Sequence, residues 1–382
     1  MNAMSCPYFE QSLCRSCALL DIPYQQQIAD KTAALQQLTG IEASRWLPPC
    51  ISQSLGFRNK AKMVVLGVAQ APVVGIELSA EQGFSAQPLT DCPLYPANMQ
   101  ALLGDLPEWI RSSGLPPYNR HKRRGELKYI LLSHSRRYDQ FMLRLVLGSD
   151  KCIERIRQNL SRLLQQHPEI QVVSVNIQPV HMARLEGDEE IFLTDNQLLE
   201  EEFNGIPLFQ RPKSFFQTNP DVAEQLYGTA ARWAQATGAH HIWDLFCGTG
   251  GFALHCAPFA ERVTGIEIEP EAIACARQSA ARMGINNLEF DALDSAAFSQ
   301  QQQGSAPDLV IVNPPRRGLG TELVERLNQI APRHIIYSSC NPETLTRDIA
   351  GLNYEVVQAQ WFDMFPNTDH MEVLVELRRT GV

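Results

Sequence analysis

In the later part of this 382-residue chain a thiol and an amide each close an apolar run, and a carboxylate opens one. Cys340 lies in Ser338-Ser339-Cys340-Asn341-Pro342. Cysteine is the nucleophile most readily ionised near neutral pH, and its thiolate can attack an electrophilic carbon and later leave. Carbon 5 of a uracil is too poor a nucleophile to take a methyl group unaided. Addition of a thiolate to carbon 6 converts the ring to an enolate whose charge reaches carbon 5. A proton then remains on carbon 5, and a base must remove it before the thiolate is eliminated. Glu372, in His370-Met371-Glu372-Val373, opens the last apolar run and is a candidate for that base. By position alone, Cys340 also suits a buried core cysteine and Glu372 a solvated surface carboxylate.

Asn313-Pro314-Pro315-Arg316-Arg317-Gly318 follows another apolar run. The prolines stiffen this turn and hold the Asn313 amide, with its donors and acceptor, toward a cofactor or base. Enzymes that methylate exocyclic amines use Asn-Pro-Pro followed by an aromatic that stacks on the base. Arg316 occupies the aromatic's place here, which weakens the amine reading without removing it.

Asp244-Leu245-Phe246-Cys247-Gly248-Thr249-Gly250-Gly251 reads as a strand end, a glycine-rich turn and a helix start. Glycines let backbone approach a ligand, and a helix N-terminus offers unpaired N–H groups. Glu267, nineteen residues after Gly248, ends the next apolar run, where a carboxylate accepts ribose hydroxyls. The pattern is not Gly-x-Gly-x-x-Gly and lies late in the chain, which argues against a dinucleotide. Asp294 stands where methyltransferases commonly hold the adenine end.

Cys6, Cys14 and Cys17 are spaced C-x7-C-x2-C, and Cys92 stands far away. Four thiolates bind tetrahedral zinc or an iron–sulfur cluster, and spacing does not choose between them. Arg120-His121-Lys122-Arg123-Arg124, with Lys128 and Tyr129 behind it, is the densest positive run. Beside Arg58, Lys60 and Lys62 it suggests a groove that tracks phosphates, although such runs are often simply solvated loops.

The elements that must position these residues fall into two styles. From about residue 200 onward, short apolar runs alternate with helical patterns, the signature of a doubly wound parallel sheet. Strands are predicted at His241–Phe246, Arg262–Glu267, Asn287–Ala292, Asp308–Asn313, Arg333–Ser338 and Val373–Leu377, with a helix at Glu271–Met283. Upstream, Ala61–Leu66, Tyr129–Ser133, Gln140–Leu147 and Val172–Ile177 read as antiparallel strands, with a helix at Asp150–Gln166 among them. That region is a smaller, mixed, sheet-rich domain. The fold class is α/β, with an N-terminal cysteine-bearing segment and a helix at 1–50 and domains at 51–200 and 201–382.

Composition narrows the class further. A 44% hydrophobic, 20% charged chain is that of a globular protein, and no run approaches the apolar length of a membrane span. Met1–Glu10 lacks the pattern of a secretory leader, so a cytoplasmic location is expected. Ten cysteines in that compartment are core residues, metal ligands or nucleophiles rather than disulfides. The net charge of −9 confines any nucleic-acid contact to a local basic groove.

Ser214-Phe215-Phe216-Gln217-Thr218-Asn219, the Asp244–Gly251 turn, Asn313–Gly318, Ser338–Pro342 and His370–Val373 resemble, in order and spacing, the RNA uracil-5-methyltransferase family. The N-terminal cysteines, Gly56–Met63 and Arg124–Tyr129 extend the resemblance over nearly the whole chain. It implies a Rossmann-like S-adenosylmethionine methyltransferase domain, a central RNA-binding domain that supplies Cys92, and an N-terminal iron–sulfur segment. It implies Cys340 as nucleophile, Glu372 as proton acceptor, and Gln217, Phe246, Glu267 and Asn313 as S-adenosylmethionine contacts. Cys6, Cys14, Cys17 and Cys92 are implied as ligands of a [4Fe–4S] cluster of structural or RNA-positioning role. The implied partner is 23S ribosomal RNA, with uridine 747 as target, no membrane and no obligate protein partner, so a monomer is expected. Asn313 stands where several relatives carry Asp, and with the cysteine cluster beginning at Cys6 no separate OB-like domain is expected. Three other readings stay open: uracil-5 methylation of a different RNA, either another rRNA site or tRNA; methylation of an amine through Asn313-Pro314-Pro315; and a non-catalytic iron–sulfur RNA-binding protein.

Overall fold

The computed structural model describes residues 5–78, 86–180, 185–301 and 306–381. The polar stretch 299–305 lies partly outside them. The chain forms two compact units, and neither is one continuous run: Leu55–Glu201 gathers with Cys6–Cys14, and Glu202–Val382 gathers with Arg15–Ser54. The separate segment expected over residues 1–50 is therefore divided. Its short helix α1 (Pro7–Glu10) brings Tyr8 against the core of the smaller unit, whereas Leu35 of helix α2 (Tyr24–Thr39) joins the core of the larger one.

The smaller unit is built on a seven-stranded sheet of order β3-β2-β1-β4-β5-β6-β7. Its strands are β1 (Lys60–Val68), β2 (Ala71–Glu77), β3 (Ala86–Pro88), β4 (Leu127–Ser135), β5 (Gln140–Leu147), β6 (Ile170–Ile177) and β7 (Glu189–Phe192). Helices α3 (Ala97–Ser112) and α4 (Ile153–Gln166) cover it. Ile153, Ile156, Leu160 and Leu163 recur at helical spacing in α4 and are all buried, which is why this segment docks as a helix. One expectation needs correcting: β5 and β6 pair in parallel, not antiparallel. The α4 crossover carries the chain back to the starting end of β5, and a crossover of that length makes a parallel neighbour.

Strand β8 (Leu199–Phe203) leads the chain into the larger unit and pairs with β9 (Ile206–Gln210) as a two-stranded ribbon. The rest alternates: α5 (Pro220–Ala236), β10 (His241–Leu245), α6 (Gly251–Cys256), β11 (Arg262–Glu267), α7 (Pro270–Met283), β12 (Leu288–Ala292) and α8 (Ser295–Gln301). It continues through β13 (Leu309–Val312), α9 (Thr321–Ile330), β14 (His334–Ser339), α10 (Pro342–Gly351), β15 (Tyr354–Phe362) and β16 (Glu372–Arg379). The sheet order is β12-β11-β10-β13-β14-β16-β15. β10 through β14 run parallel, and β16 pairs antiparallel with both β14 and β15. Leu309, Val310, Ile311 and Val312 are all buried, as a strand covered on both faces requires. The direction of winding reverses at β10, which has β11 on one side and β13 on the other. In an open α/β sheet the crevice at the carboxyl ends of such strands receives ligands. Among the described residues no helix is long and apolar enough to cross a membrane.

Candidate active site

At the carboxyl end of β10 the backbone turns sharply. Phe246 has φ +65°, a left-handed conformation that costs a residue with a Cβ about 1–3 kcal/mol and recurs where a ligand site imposes it. A Cβ on Gly251 would meet the Tyr227 ring at 2.5 Å, and one on Gly250, at φ +86°, would meet Phe290 at 2.9 Å. Only glycine fits both places. Asp244 is fully buried; its Oδ2 accepts from the Ala253 amide at 2.9 Å, and its Oδ1 has no protein partner. Burial pushes its carboxyl up to about 8.

Glu267 ends β11 beside this turn. Its Oε2 accepts from the Gly248 amide at 3.1 Å, and its Oε1 from the Ile268 and Glu269 amides at 2.8 and 3.1 Å. The carboxylate is thus fixed in orientation while retaining lone pairs for further donors. Asp294 caps α8, accepting from Ala296 and Ala297 at 3.0 Å.

Just past the neighbouring strand β13, the Asn313 backbone N–H donates to the Leu245 carbonyl at 3.3 Å. The Arg316 carbonyl accepts from Asn341 Nδ2 at 3.0 Å and Thr344 Oγ1 at 3.3 Å, which ties the Asn313–Arg317 turn to the loop bearing Cys340. Burial and the charge of Glu372 push the Cys340 thiol up, while the charge of Arg316 and its hydrogen bond to the sulfur pull it down. Glu372 opens β16 and is 3% exposed. Its Oε1 accepts from Ser338 Oγ, and burial raises its carboxyl to about 7 against that hydrogen bond.

A single cavity of about 570 Å³ is lined by Gln217, Phe246, Glu267, Asn313, Cys340 and Glu372 together. All six residues singled out for cofactor binding and catalysis therefore meet at one place, and Asp294 joins them. Sequence reasoning gives no role to three further lining residues: Tyr227, Phe365 and Phe215, the last 67% exposed. Phe215 stands inside the Ser214–Asn219 motif, but exposure of an aromatic ring is not visible in residue order. Phe365 is hidden for a similar reason, because it lies on an irregular loop without periodicity.

The cysteines of the N-terminal motif divide. Cys6, Cys14 and Cys92 belong to the smaller unit and Cys17 to the larger. Burial pushes the Cys92 thiol up to about 11, with the charges of Cys14 and Cys6 adding to it. Among the described residues no three His, Cys, Asp or Glu side chains are gathered as a metal-holding group. The basic run also differs from expectation in one residue. Lys128 is buried, donates to the Gln178 and Val180 carbonyls at 2.6 and 3.0 Å, and lies over the Tyr118 ring at 4.6 Å. A lysine so engaged is not offered to phosphate. Arg120 pairs with Glu77 at 2.7 Å, while Lys122, Arg123 and Arg124 are exposed.

Residues 147–380 match the family model described as tRNA (Uracil-5-)-methyltransferase. The chain belongs to this uracil-5-methyltransferase family. Over 378 residues it is 58% identical to the 23S rRNA (uracil(747)-C(5))-methyltransferase RlmC of Vibrio vulnificus, covering 98% of this chain and 100% of that one. It is 56% identical to the RlmC of Shewanella amazonensis, covering 97% of each. Among solved structures, the Pyrococcus abyssi tRNA (uracil-54, C5)-methyltransferase in complex with S-adenosyl-L-homocysteine superposes with a TM-score of 0.80. That similarity, at 25% identity, covers 94% of this chain and 85% of the other. The uracil-5-methyltransferase family therefore accounts for both units of the fold, and this chain is a methyltransferase.

Proposed function

We propose that this enzyme methylates carbon 5 of a uracil in 23S ribosomal RNA, with uridine 747 as its target, in the cytoplasm and as a monomer. The full-length relatives named for that reaction support the substrate. The observation that carries the chemistry is the meeting of Cys340, Glu372, Asn313 and Glu267 in one cavity.

S-adenosylmethionine, when bound, supplies an electrophilic methyl group. The pocket suits it: Glu267 keeps lone pairs for the ribose hydroxyls, and Gln217, Phe246 and Asn313 complete the contacts. The uracil must leave any stack to reach the thiol, so an RNA loop or locally opened helix is the substrate, and the exposed Phe215 offers a ring to stack on. Arg316 favours the thiolate of Cys340, which adds to carbon 6. After carbon 5 is methylated, Glu372 takes its proton, and the C6–S bond breaks to restore the ring and the thiolate. A carboxyl held near 7 can both accept and return a proton at working pH. Amine methylation through Asn313-Pro314-Pro315 needs neither a thiol nor a second base, and so leaves Cys340 and Glu372 unexplained.

The smaller unit serves RNA binding in this reading, with the exposed arginines of the Arg120–Arg124 run on phosphates. Cys6, Cys14, Cys17 and Cys92 are proposed to hold a [4Fe–4S] cluster, a reading that rests on the family resemblance of the N-terminal cysteines. Among the described residues no three such side chains form a metal-holding group, and no step of the reaction is routed through the cluster. A preparation without iron, sulfide or absorbance at about 400 nm contradicts the cluster. Mapping 5-methyluridine in ribosomal RNA from a deletion strain tests the target: loss at position 747 alone, restored by the wild-type chain and not by Cys340→Ala, is expected. A 5-methyluridine still present there in the deletion strain assigns this chain to another RNA.

A further inference from the structure

Helix α2 buries polar side chains where a helix of this length ordinarily buries apolar ones. Gln27, Lys31 and Leu35 are its buried residues and recur every four positions along one face. Lys31 is 4% exposed and Asp363 fully buried. Lysine tolerates such burial only when its ammonium protons all find acceptors. Lys31 Nζ lies 2.7 Å from Asp363 Oδ1, 3.1 Å from the His370 carbonyl and 3.4 Å from the Phe365 carbonyl, so three donors meet three acceptors.

Those acceptors stand on both arms of the loop 363–371, which joins β15 to β16 and delivers Glu372. Tyr24, on the same helix, donates its hydroxyl to Asp363 Oδ2 at 2.6 Å. Gln27 accepts from the Asn367 amide at 3.1 Å. Asn367 is held mid-loop at φ +65°, which shows how closely the surroundings dictate this backbone. Among the described residues, all the side-chain hydrogen bonds of Lys31 go to this loop. Cys340 follows β14, on a different loop.

We infer that Lys31 is a positioning residue for the proton-removal step: it fixes the 363–371 loop and through it the Glu372 carboxylate, without touching the reactants. The inference rests on the assignment of Cys340 as nucleophile and Glu372 as base. Its consequence is kinetic. Lys31 governs the breakdown of the covalent RNA adduct and not its formation.

The test follows adduct and 5-methyluridine on one time course, with the full-length enzyme, S-adenosylmethionine and a uracil-containing target RNA in single turnover. Lys31→Gln is compared with Lys31→Gln/Asp363→Asn, in which no buried carboxylate is left unpaired, and with Tyr24→Phe, which leaves the charge pair intact. Both Lys31 variants are expected to form adduct within about twofold of the wild-type rate and to break it down about tenfold more slowly, so that adduct accumulates. Tyr24→Phe shifts the same partition by a smaller factor, and it carries the test alone where the Lys31 variants do not fold. Half-saturation by S-adenosylmethionine is unchanged throughout. Equal slowing of both steps, or a wild-type partition in all variants that fold, overturns the role of Lys31. A wild-type enzyme that turns over without any adduct overturns the assignment of Cys340, and the role of Lys31 with it.

Discussion

At the scale of single residues, the two groups assigned to the chemistry oppose each other's ionisation. Glu372's charge pushes the Cys340 thiol up, and Arg316 pulls it down. Arg316→Gln is therefore expected to slow alkylation of Cys340 by iodoacetamide at neutral pH, whereas Glu372→Gln speeds it. An unchanged rate in both variants contradicts this coupling. Glu372→Gln also removes the base, so adduct accumulates and turnover falls by about 10²–10⁴-fold. In the wild type, adduct breakdown rises with pH until Glu372 is ionised at about 7, then levels. Stability runs the other way. A folded carboxyl raised from 4.5 to about 7 contributes stability that is full below 4.5 and lost as pH rises through 7, about 3 kcal/mol in all. Glu372→Gln is expected to lack that loss, and denaturant melts at pH 4 and pH 9, on either side of the two values, measure it. Most of this site is legible in the sequence, because the thiol and the glycine turn each close an apolar run and the carboxylate opens one. Arg316 is visible there only as a missing aromatic, since its reach to the thiol depends on the fold.

At the scale of elements, the site exists because parallel strands end on one edge. β10, β11, β13 and β14 each deliver one station there, and their alternation with helices is readable from hydrophobic period. Gly251→Ala tests the cofactor turn: the new methyl meets Tyr227, so S-adenosylmethionine binding measured by calorimetry is expected to weaken about tenfold with the fold intact. Unaltered affinity shows that the Tyr227 ring yields. Strand β15 is not foreseen, and β5 and β6 are expected antiparallel. Alternation along a strand reports which face is buried, not the direction of its neighbour. A helix is expected within residues 1–50, but the burial of polar side chains along α2 is not. Its buried face carries Gln27 and Lys31; the acceptors of Lys31, and the Asn367 amide that donates to Gln27, lie more than three hundred residues away.

At the scale of the whole molecule, an acidic chain must bind a polyanion through a local surface. Replacing Arg123 and Arg124 by alanine is expected to weaken RNA binding and to flatten its logarithmic salt dependence by about 0.7 for each phosphate that is no longer neutralised. Equal slopes for variant and wild type remove this run from the interface. Lys128, counted with that run by its place in the sequence, is turned inward onto Tyr118 and Gln178, because charge in a sequence carries no direction. The central claim is that this molecule attacks its RNA covalently through Cys340. A target RNA carrying 5-fluorouracil tests it directly, because fluorine on carbon 5 cannot leave as the proton does. In the presence of S-adenosylmethionine, a stable protein–RNA adduct is expected on the peptide containing Cys340 and is absent in Cys340→Ala. Methyl transfer to unmodified RNA without any adduct on the fluorinated one contradicts covalent catalysis by this thiol.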